Sequence, residues 1–441
     1  MLTILGSRGT HCDGQSRRSF MKIGALGFGA LTLPQLMQAE AASGKKSHKS
    51  VIMVYLSGGM AHQDTFDMKP NAPQEVRGEF KPISTKLPGI QFGEYVPKLA
   101  ACADKLAVIR TIVGQPDEHS SWMSSTGVPM STGQREHRPH FGSVIAKMQG
   151  QTHPVMPAFV DLAPVMQHKP YNTPGPALLG RSAAAVKVDG DEVKVMKNLE
   201  VSADRLADRQ SLLAQIDSVK KAAERSTSIG ADTFHDRAFE VLTSNKLVDA
   251  LDITKESQAT RDRYGKGSPK HLGDGAPLWN EQLLMARRVV EAGARVVTIG
   301  YGFWDTHGQN FKHLKQHLPT FDQGVSALVE DIYARGLDKD VTVIVWGEFG
   351  RTPKINKDAG RDHWSRVNFA LMSGGGMKVG QVIGSTDSSA GEAKNDPIPY
   401  PWVLASAYHN LGIDPHSMVY DVSNRPNPIL PSSTSIIDRL Y

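Results

Sequence analysis

Val341-Thr342-Val343-Ile344-Val345-Trp346-Gly347-Glu348 is the stretch whose reading decides the fold. It is a β-branched, near-continuous apolar run ending on a carboxylate. That pattern predicts a strand covered on both faces, as the strands of parallel sheets are. Just before it, Phe321, Val325, Leu328, Val329 and Ile332 line one face of a helix that stops at Gly336. Before that, Arg295–Ile299 reads as another strand, and Leu283, Ala286 and Val290 mark a helix capped at Gly293. On the far side, Asn368–Met372 is a strand closed by Gly374-Gly375-Gly376, and Trp402–Leu411 is a last helix. Toward the N-terminus, Val51–Leu56 is a strand ending at Ser57-Gly58-Gly59, with shorter strands at Leu106–Ile109 and Pro157–Val160. Alternating strands and helices predict an α/β fold: a doubly wound, mainly parallel sheet sandwiched by helices.

The region from 198 to 275 differs. Leu206, Leu213, Ile216 and Val219 sit among many charges, as in amphipathic helices. It carries no obvious chemistry and reads as a helical insertion in a single domain over 51–441.

The first 41 residues read as a targeting segment. Ser16-Arg17-Arg18-Ser19-Phe20-Met21-Lys22 precedes a weakly apolar run, Ile23–Leu33, and then Ala39-Glu40-Ala41. Paired arginines, a short apolar run and a small-residue cleavage site resemble a twin-arginine export signal. The run is too short to span a bilayer, so a cleaved signal is expected rather than an anchor. Residues 42–50 form a polar linker. The expected location is periplasmic or secreted, with the twin-arginine export machinery as a partner and no stable membrane insertion. Residues 1–41 hold four of the 50 Lys/Arg and two of the 45 Asp/Glu, leaving 46 against 43, a net +3. So small a charge gives no reason to expect nucleic-acid binding. Cys12 leaves with the signal, and Cys102 alone cannot form an intrachain disulfide.

Three strands lead into residues of metal-ligand type, where open α/β sheets place their chemistry. His62-Gln63-Asp64 follows the first strand. Asp305-Thr306-His307 follows the strand at 295–299, and Glu348 with Asp362-His363 follows the strand at 341–346. Asp with His at one site suits Zn²⁺ or Mn²⁺ better than Mg²⁺. Read one at a time, each cluster has a plain structural alternative. Asp305 could cap a turn, Asp64 could cap a helix, and Glu348 could pair with Arg351. Asp117-Glu118-His119-Ser120-Ser121 is the best candidate for a nucleophile region, although serines there also suit a loop.

Five blocks in order carry a resemblance. They are Ser57-Gly58-Gly59 with His62 and Asp64-Thr65-Phe66-Asp67; Arg77-Gly78-Glu79-Phe80; Trp304-Asp305-Thr306-His307; Glu348-Phe349-Gly350-Arg351-Thr352-Pro353; and Gly360-Arg361-Asp362-His363-Trp364. Together they resemble a bacterial exported family, domain-of-unknown-function family 1501, often labelled sulfatase-like, over essentially the whole mature chain. That family is similar in turn to the alkaline phosphatase and sulfatase superfamily, with its α/β/α sandwich and metal site at the strand ends. The resemblance implies that Asp305, His307 and His363 form one metal site and that Glu348 stands where a second-site Asp follows its strand. There are departures. Ser57 replaces an Asp at the first strand's tip, and Glu348-Phe349 stands where Asp-His is usual. No C/S-x-P-S-R block exists, so a formylglycine mechanism is not expected.

The function expected from these readings is an exported, metal-dependent hydrolase of sulfate or phosphate esters, acting on a small-molecule or polysaccharide ester. The expected ligands of a divalent Zn, Ca or Mn ion are Asp305, His307, Glu348 and His363, with Asp64 and His62 as additions. Arg351 or Arg361 would steady the anion, and Ser120 or an activated water would attack. The alternative is a non-catalytic relative that keeps the fold and binds a polysaccharide or surface partner. A phosphate-transferring mutase ranks last.

Overall fold

A computed structural model describes residues 49–188 and 246–441. The expected export signal, residues 42–48 of the linker, and the expected insertion before residue 246 lie outside the described residues. The described part of that insertion contains helices at Lys246–Leu251 and Gln258–Tyr264.

The centre is a nine-stranded sheet. Its strands are β1 (Ser50–Ser57), β2 (Ala107–Val113), β3 (Phe159–Asp161), β4 (Val186–Lys187), β5 (Val296–Phe303) and β6 (Val341–Gly347). A short hairpin, β7 (Gly350–Arg351) with β8 (His363–Trp364), leaves the sheet and returns to it. Then come β9 (Asn368–Gly374), β10 (Gln381–Ile383) and β11 (Ile398–Pro399). The spatial order is β10-β2-β9-β6-β1-β5-β3-β4, with β11 also on β2. All pairings are parallel except those of β9, which is antiparallel to both β2 and β6. The sheet is therefore the mainly parallel one expected, with one strand reversed. That reversal matters: the start of β9 lies at the same edge as the carboxyl ends of β1, β2, β5 and β6.

Alternation along each strand sends side chains to two cores. Ile52, Val54, Val343 and Val345 join one core with Leu283, Phe321 and Val325, from α3 (Asn280–Glu291) and α4 (Asn310–Ala334). Val51, Met53, Ile344 and Trp346 join the other with Phe141, Val144, Val403 and Leu404, from α2 (Phe141–Gln149) and α5 (Pro401–Asn410). The remaining helix used below, α1, is Trp122–Thr126. Burying each Val, Leu, Ile or Phe contributes about 1.5–3 kcal/mol, so two filled cores hold the layers without disulfides. Cys102 is buried, and burial pushes its thiol up to about 12, which leaves it unreactive. Among the described residues, no helix is long and apolar enough to cross a membrane.

Several element boundaries moved; β5, for instance, runs to Phe303, four residues past the expected end at Ile299. β2 runs four residues beyond the expected strand, because Arg110 is only partly buried and breaks the apolar pattern. α4 begins eleven residues before Phe321 and contains Pro319. Phe311, Leu314 and Leu318 extend its buried face upstream. Their packing overrides the lost N–H bond at the proline.

His140 offers a test of this packing. It is buried, stacks on Phe159 at 4.7 Å, and its Nδ1 accepts from Gly142 N at the start of α2. Burial lowers its pKa to about 3. The unfolded chain binds a proton near pH 6.5 that the folded chain refuses until about pH 3. Stability should therefore fall as pH drops through that window, by up to about 1.4 kcal/mol per pH unit from this group. Urea unfolding of wild type and His140→Asn between pH 7 and 4 checks this. The variant should lose that share of the slope.

Candidate metal centre

Four residues meet at the carboxyl edge of the sheet. Asp305 and His307 follow β5, His119 follows β2, and His363 lies in β8 just before the reversed strand β9. One donor atom from each lies within 4.8 Å of the others. Asp305 is the hub. Its Oδ1 is 3.0 Å from His307 Nε2 and 3.3 Å from His363 Nε2, and its Oδ2 is 3.3 Å from His119 Nε2. The two ring nitrogens His307 Nε2 and His363 Nε2 are 2.9 Å apart.

Each imidazole is oriented from behind by a carboxylate. His307 Nδ1 donates to Asp362 Oδ1 at 2.7 Å, and His363 Nδ1 to Asp117 Oδ1 at 2.9 Å. His119 Nδ1 lies 3.2 Å from Glu348 Oε1 and 2.6 Å from Tyr171 Oη. A carboxylate on Nδ1 fixes the tautomer and leaves Nε2 as the lone pair. Three lone pairs and a carboxylate then face one another, an arrangement that requires a cation or shared protons between them. Without an ion, protons take that place. Burial lowers the His119 pKa, but hydrogen bonds to Asp305 and Glu348 outweigh it and raise it to about 9. Burial likewise raises Asp305, while bonds from His119, His363 and Arg351 hold it well below the usual carboxylate range. Three imidazoles, one carboxylate and the outer carboxylates are the donor set of Zn²⁺ and similar ions rather than of Ca²⁺ or Mg²⁺. The residues fit such an ion.

The surrounding chain holds this geometry rigidly. Gly58, at φ +95°, passes so close to the Asp305 loop that a Cβ would lie 2.5 Å from Asp305 N. Phe349 packs its ring against His363 at 4.4 Å and His119 at 5.1 Å. It acts as a wall of the cluster. His307 and Asp117 are exposed and the Asp362 side chain is half-exposed, so the cluster opens to solvent on their side. A cavity of about 580 Å³ lies beside it, lined by Lys354, Asn356, Asp362, Trp364 and Glu392 among others.

The structure brings together Asp305, His307 and His363 as the sequence suggested, and sets the other candidates elsewhere. Glu348 is buried and accepts from Gly58 N at 2.7 Å, so it orients His119 instead of joining the four. Asp64 is fully buried, accepts from Arg361 at 2.7 and 2.8 Å, and also accepts from Asn310. Its oxygens are spent, and so is Arg361, whose other N–H groups reach the Thr352, Pro353 and Val76 carbonyls. His62 is buried, with Nε2 at 2.8 Å from the Ala390 carbonyl. Arg351 touches Asp305 Oδ1 but is fully buried, tying down the Gly58, Gly59 and Arg361 carbonyls. Ser120 Oγ accepts from Trp122 N at the start of α1, and Ser57 Oγ donates to the Gly302 carbonyl. Both hydroxyls are engaged with the backbone.

His119 is the member of the four that sequence reasoning did not offer as a ligand, naming Asp117 and His119 only as part of a nucleophile region, and Tyr171 was missed altogether. A signal was present. Asp117-x-His119 repeats the spacing of Asp305-x-His307 and likewise follows a strand of the sheet. Replacing an orienting carboxylate should lower ion affinity 10–100-fold. Asp362→Asn, read by zinc titration calorimetry, checks this, and its fold should be intact because the Asp362 side chain is half-exposed and Asn keeps its shape.

A doubly wound α/β sheet with a three-histidine, one-aspartate group at its carboxyl edge defines a protein that could hold a metal ion at its strand ends. Residues 48–440 match the family described as "Protein of unknown function (DUF1501)". The chain belongs to that family. No curated protein matches it in sequence. Among solved structures it is similar to the PsFucS1 sulfatase from Pseudoalteromonas sp., at 12% identity and TM-score 0.36, covering 90% of this chain and 72% of that one. It is also similar to a protein from the Bacteroides thetaiotaomicron core locus for metabolism of multiple glycosaminoglycans, at 11% identity and TM-score 0.34, covering 83% and 74%. A third, Ps i-CgsB, stands at 10% identity and TM-score 0.34, covering 83% and 72%. Likenesses this distant say nothing of activity.

Proposed function

We propose that this chain is an exported, metal-dependent hydrolase of sulfate or phosphate esters. The observation that carries the metal part is the convergence of three carboxylate-oriented imidazoles on Asp305 at a solvent-open edge. The ester class rests on the motif resemblance drawn from the sequence. A divalent ion such as Zn²⁺ held there would supply Lewis acidity toward an ester oxygen. The protein's own groups do the rest. Asp305 and the three Nε2 atoms hold the ion. Asp117, Asp362 and Glu348 keep each ring in the binding tautomer. The cavity beside Asp362 gives room for the organic part of a small-molecule or saccharide ester. Since Ser57 and Ser120 face the backbone, water is the nucleophile in this reading.

The test is a panel of aryl sulfates and phosphates, with and without added Zn²⁺ or Mn²⁺, on wild type and His307→Ala. Turnover that needs the metal and is lost in His307→Ala is expected. Bound metal with no turnover on any ester would overturn the hydrolase reading. Export is tested separately by fusing residues 1–50 to a reporter. Arg17→Lys with Arg18→Lys should keep the reporter inside the cell.

One observation favours the second reading, a non-catalytic metal-dependent binding protein. Both arginines near the cluster are fully buried and saturated with carbonyl and carboxylate partners. Neither is free to clamp an anion. Saccharide binding that requires the metal but proceeds without hydrolysis would establish that reading instead.

A further inference from the structure

α4 carries a second pair of imidazoles that takes no part in the four-residue group. His313 and His317 lie one turn apart, on the same face of the helix. Their ring centroids are 4.3 Å apart, with planes at 53°. His313 Nε2 is buried and has no hydrogen-bond partner. A buried polar nitrogen left unpaired is costly, and within a protein it marks a place where something else can bind. The ring is neutral near pH 7, because burial and the neighbouring His317 lower its pKa to about 4 despite a backbone hydrogen bond with Phe303. An imidazole that donates to a carbonyl through Nδ1 presents Nε2 as a free lone pair. Burial also lowers the pKa of His317, so it too is a neutral donor. His317 is only half-buried, so its side of the pair is reached by solvent.

We propose that His313 and His317 form a second divalent-metal site, selective for Zn²⁺, Ni²⁺ or Cu²⁺ and separate from the Asp305 cluster. Two imidazoles spaced i, i+4 on a helix can chelate one ion from the same side. A donor set of nitrogen alone selects these ions over Mg²⁺ and Ca²⁺, which require oxygen. The partly exposed side of His317 leaves the remaining positions to water. The site also lies within reach of a reporter: the buried Trp304 ring stands edge-on to His313 at 6.1 Å. Trp304 immediately precedes Asp305, so an ion at the helix sits one side chain away from the loop that carries the main cluster.

The experiment uses the full chain. In wild type, calorimetric titration with Ni²⁺ or Cu²⁺ should give two ions per chain, and His317→Ala should give one. In a His307→Ala, His363→Ala chain, one ion should remain, and Cu²⁺ should quench tryptophan emission as it binds. Adding His317→Ala should weaken that residual binding on the order of 100-fold, the chelate gain of the second donor. Substituting His317 risks little structurally, since its ring is half-exposed. Residual binding that His317→Ala leaves unchanged would overturn the proposal, as would a single ion in both wild type and His317→Ala.

Discussion

Asp305→Ala is expected to lower zinc affinity on the order of 100- to 1000-fold, the largest loss of any single substitution at the cluster. Structural zinc sites gather about 10–16 kcal/mol from four ligands, so one ligand accounts for a few kcal/mol. Asp305 is the anionic member of the four, and each of the three imidazoles faces one of its oxygens. Without it, three neutral lone pairs converge on nothing that balances the ion's charge. Asp305→Asn keeps the shape and removes the charge, so it should fall between wild type and alanine. His307→Ala separates ion binding from folding. His307 is exposed, so its loss should lower affinity with little change in unfolding midpoint. Asp305→Ala should lower both, because Arg351 is fully buried and loses its carboxylate partner. Equilibrium dialysis with zinc and urea unfolding on the three variants give the comparison.

The second large effect is one of stability. Arg361→Ala should cost about 3–5 kcal/mol, the price of leaving one member of a buried ion pair alone. Both partners, Arg361 and Asp64, are fully buried, and the guanidinium forms two bonds to the carboxylate and three to backbone carbonyls. Asp64→Ala should cost a similar amount. The double variant should lose less than the sum, since neither charge is then left unpaired. Urea unfolding midpoints at constant slope provide the measurement. Zinc affinity of whatever remains folded should change far less than in Asp305→Ala.

These two predictions also mark what could be read from the sequence. Six of the nine strands of the central sheet were legible because residues buried on both faces leave unbroken apolar runs, as at Val51–Leu56 and Val341–Trp346, whereas the short edge strands β4, β10 and β11 carry no such run. Asp305, His307 and His363 drew notice because strand ends collect chemistry, but only the family resemblance grouped them; in the fold, the reversed direction of β9 brings His363, which precedes a strand, to the same edge. Pairing among candidates was not legible. Asp64 and Arg361 each looked like site residues, one as a ligand and one as an anion clamp. Separated by 297 positions, they neutralise each other in the interior. Glu348 was read as a ligand, but a sequence does not distinguish a carboxylate that would bind an ion from one that orients a histidine, as Glu348 does His119. His119 was passed over as a ligand because its neighbours Ser120 and Ser121 suggested a nucleophile, whereas the hydroxyl of Ser120 accepts from the backbone N–H of Trp122. The length of α4 was hidden by Pro319, since tertiary packing of Phe311, Leu314 and Leu318 outweighs a local break.

The account rests on an ion at the Asp305 cluster, and diffraction from zinc-loaded crystals at the zinc absorption edge tests it most directly. The prediction is an anomalous peak within about 2.0–2.2 Å of Asp305 and of the Nε2 atoms of His119, His307 and His363. A crystal soaked in millimolar zinc that shows no peak among these four residues, with His307 Nε2 and His363 Nε2 still in contact, would contradict it.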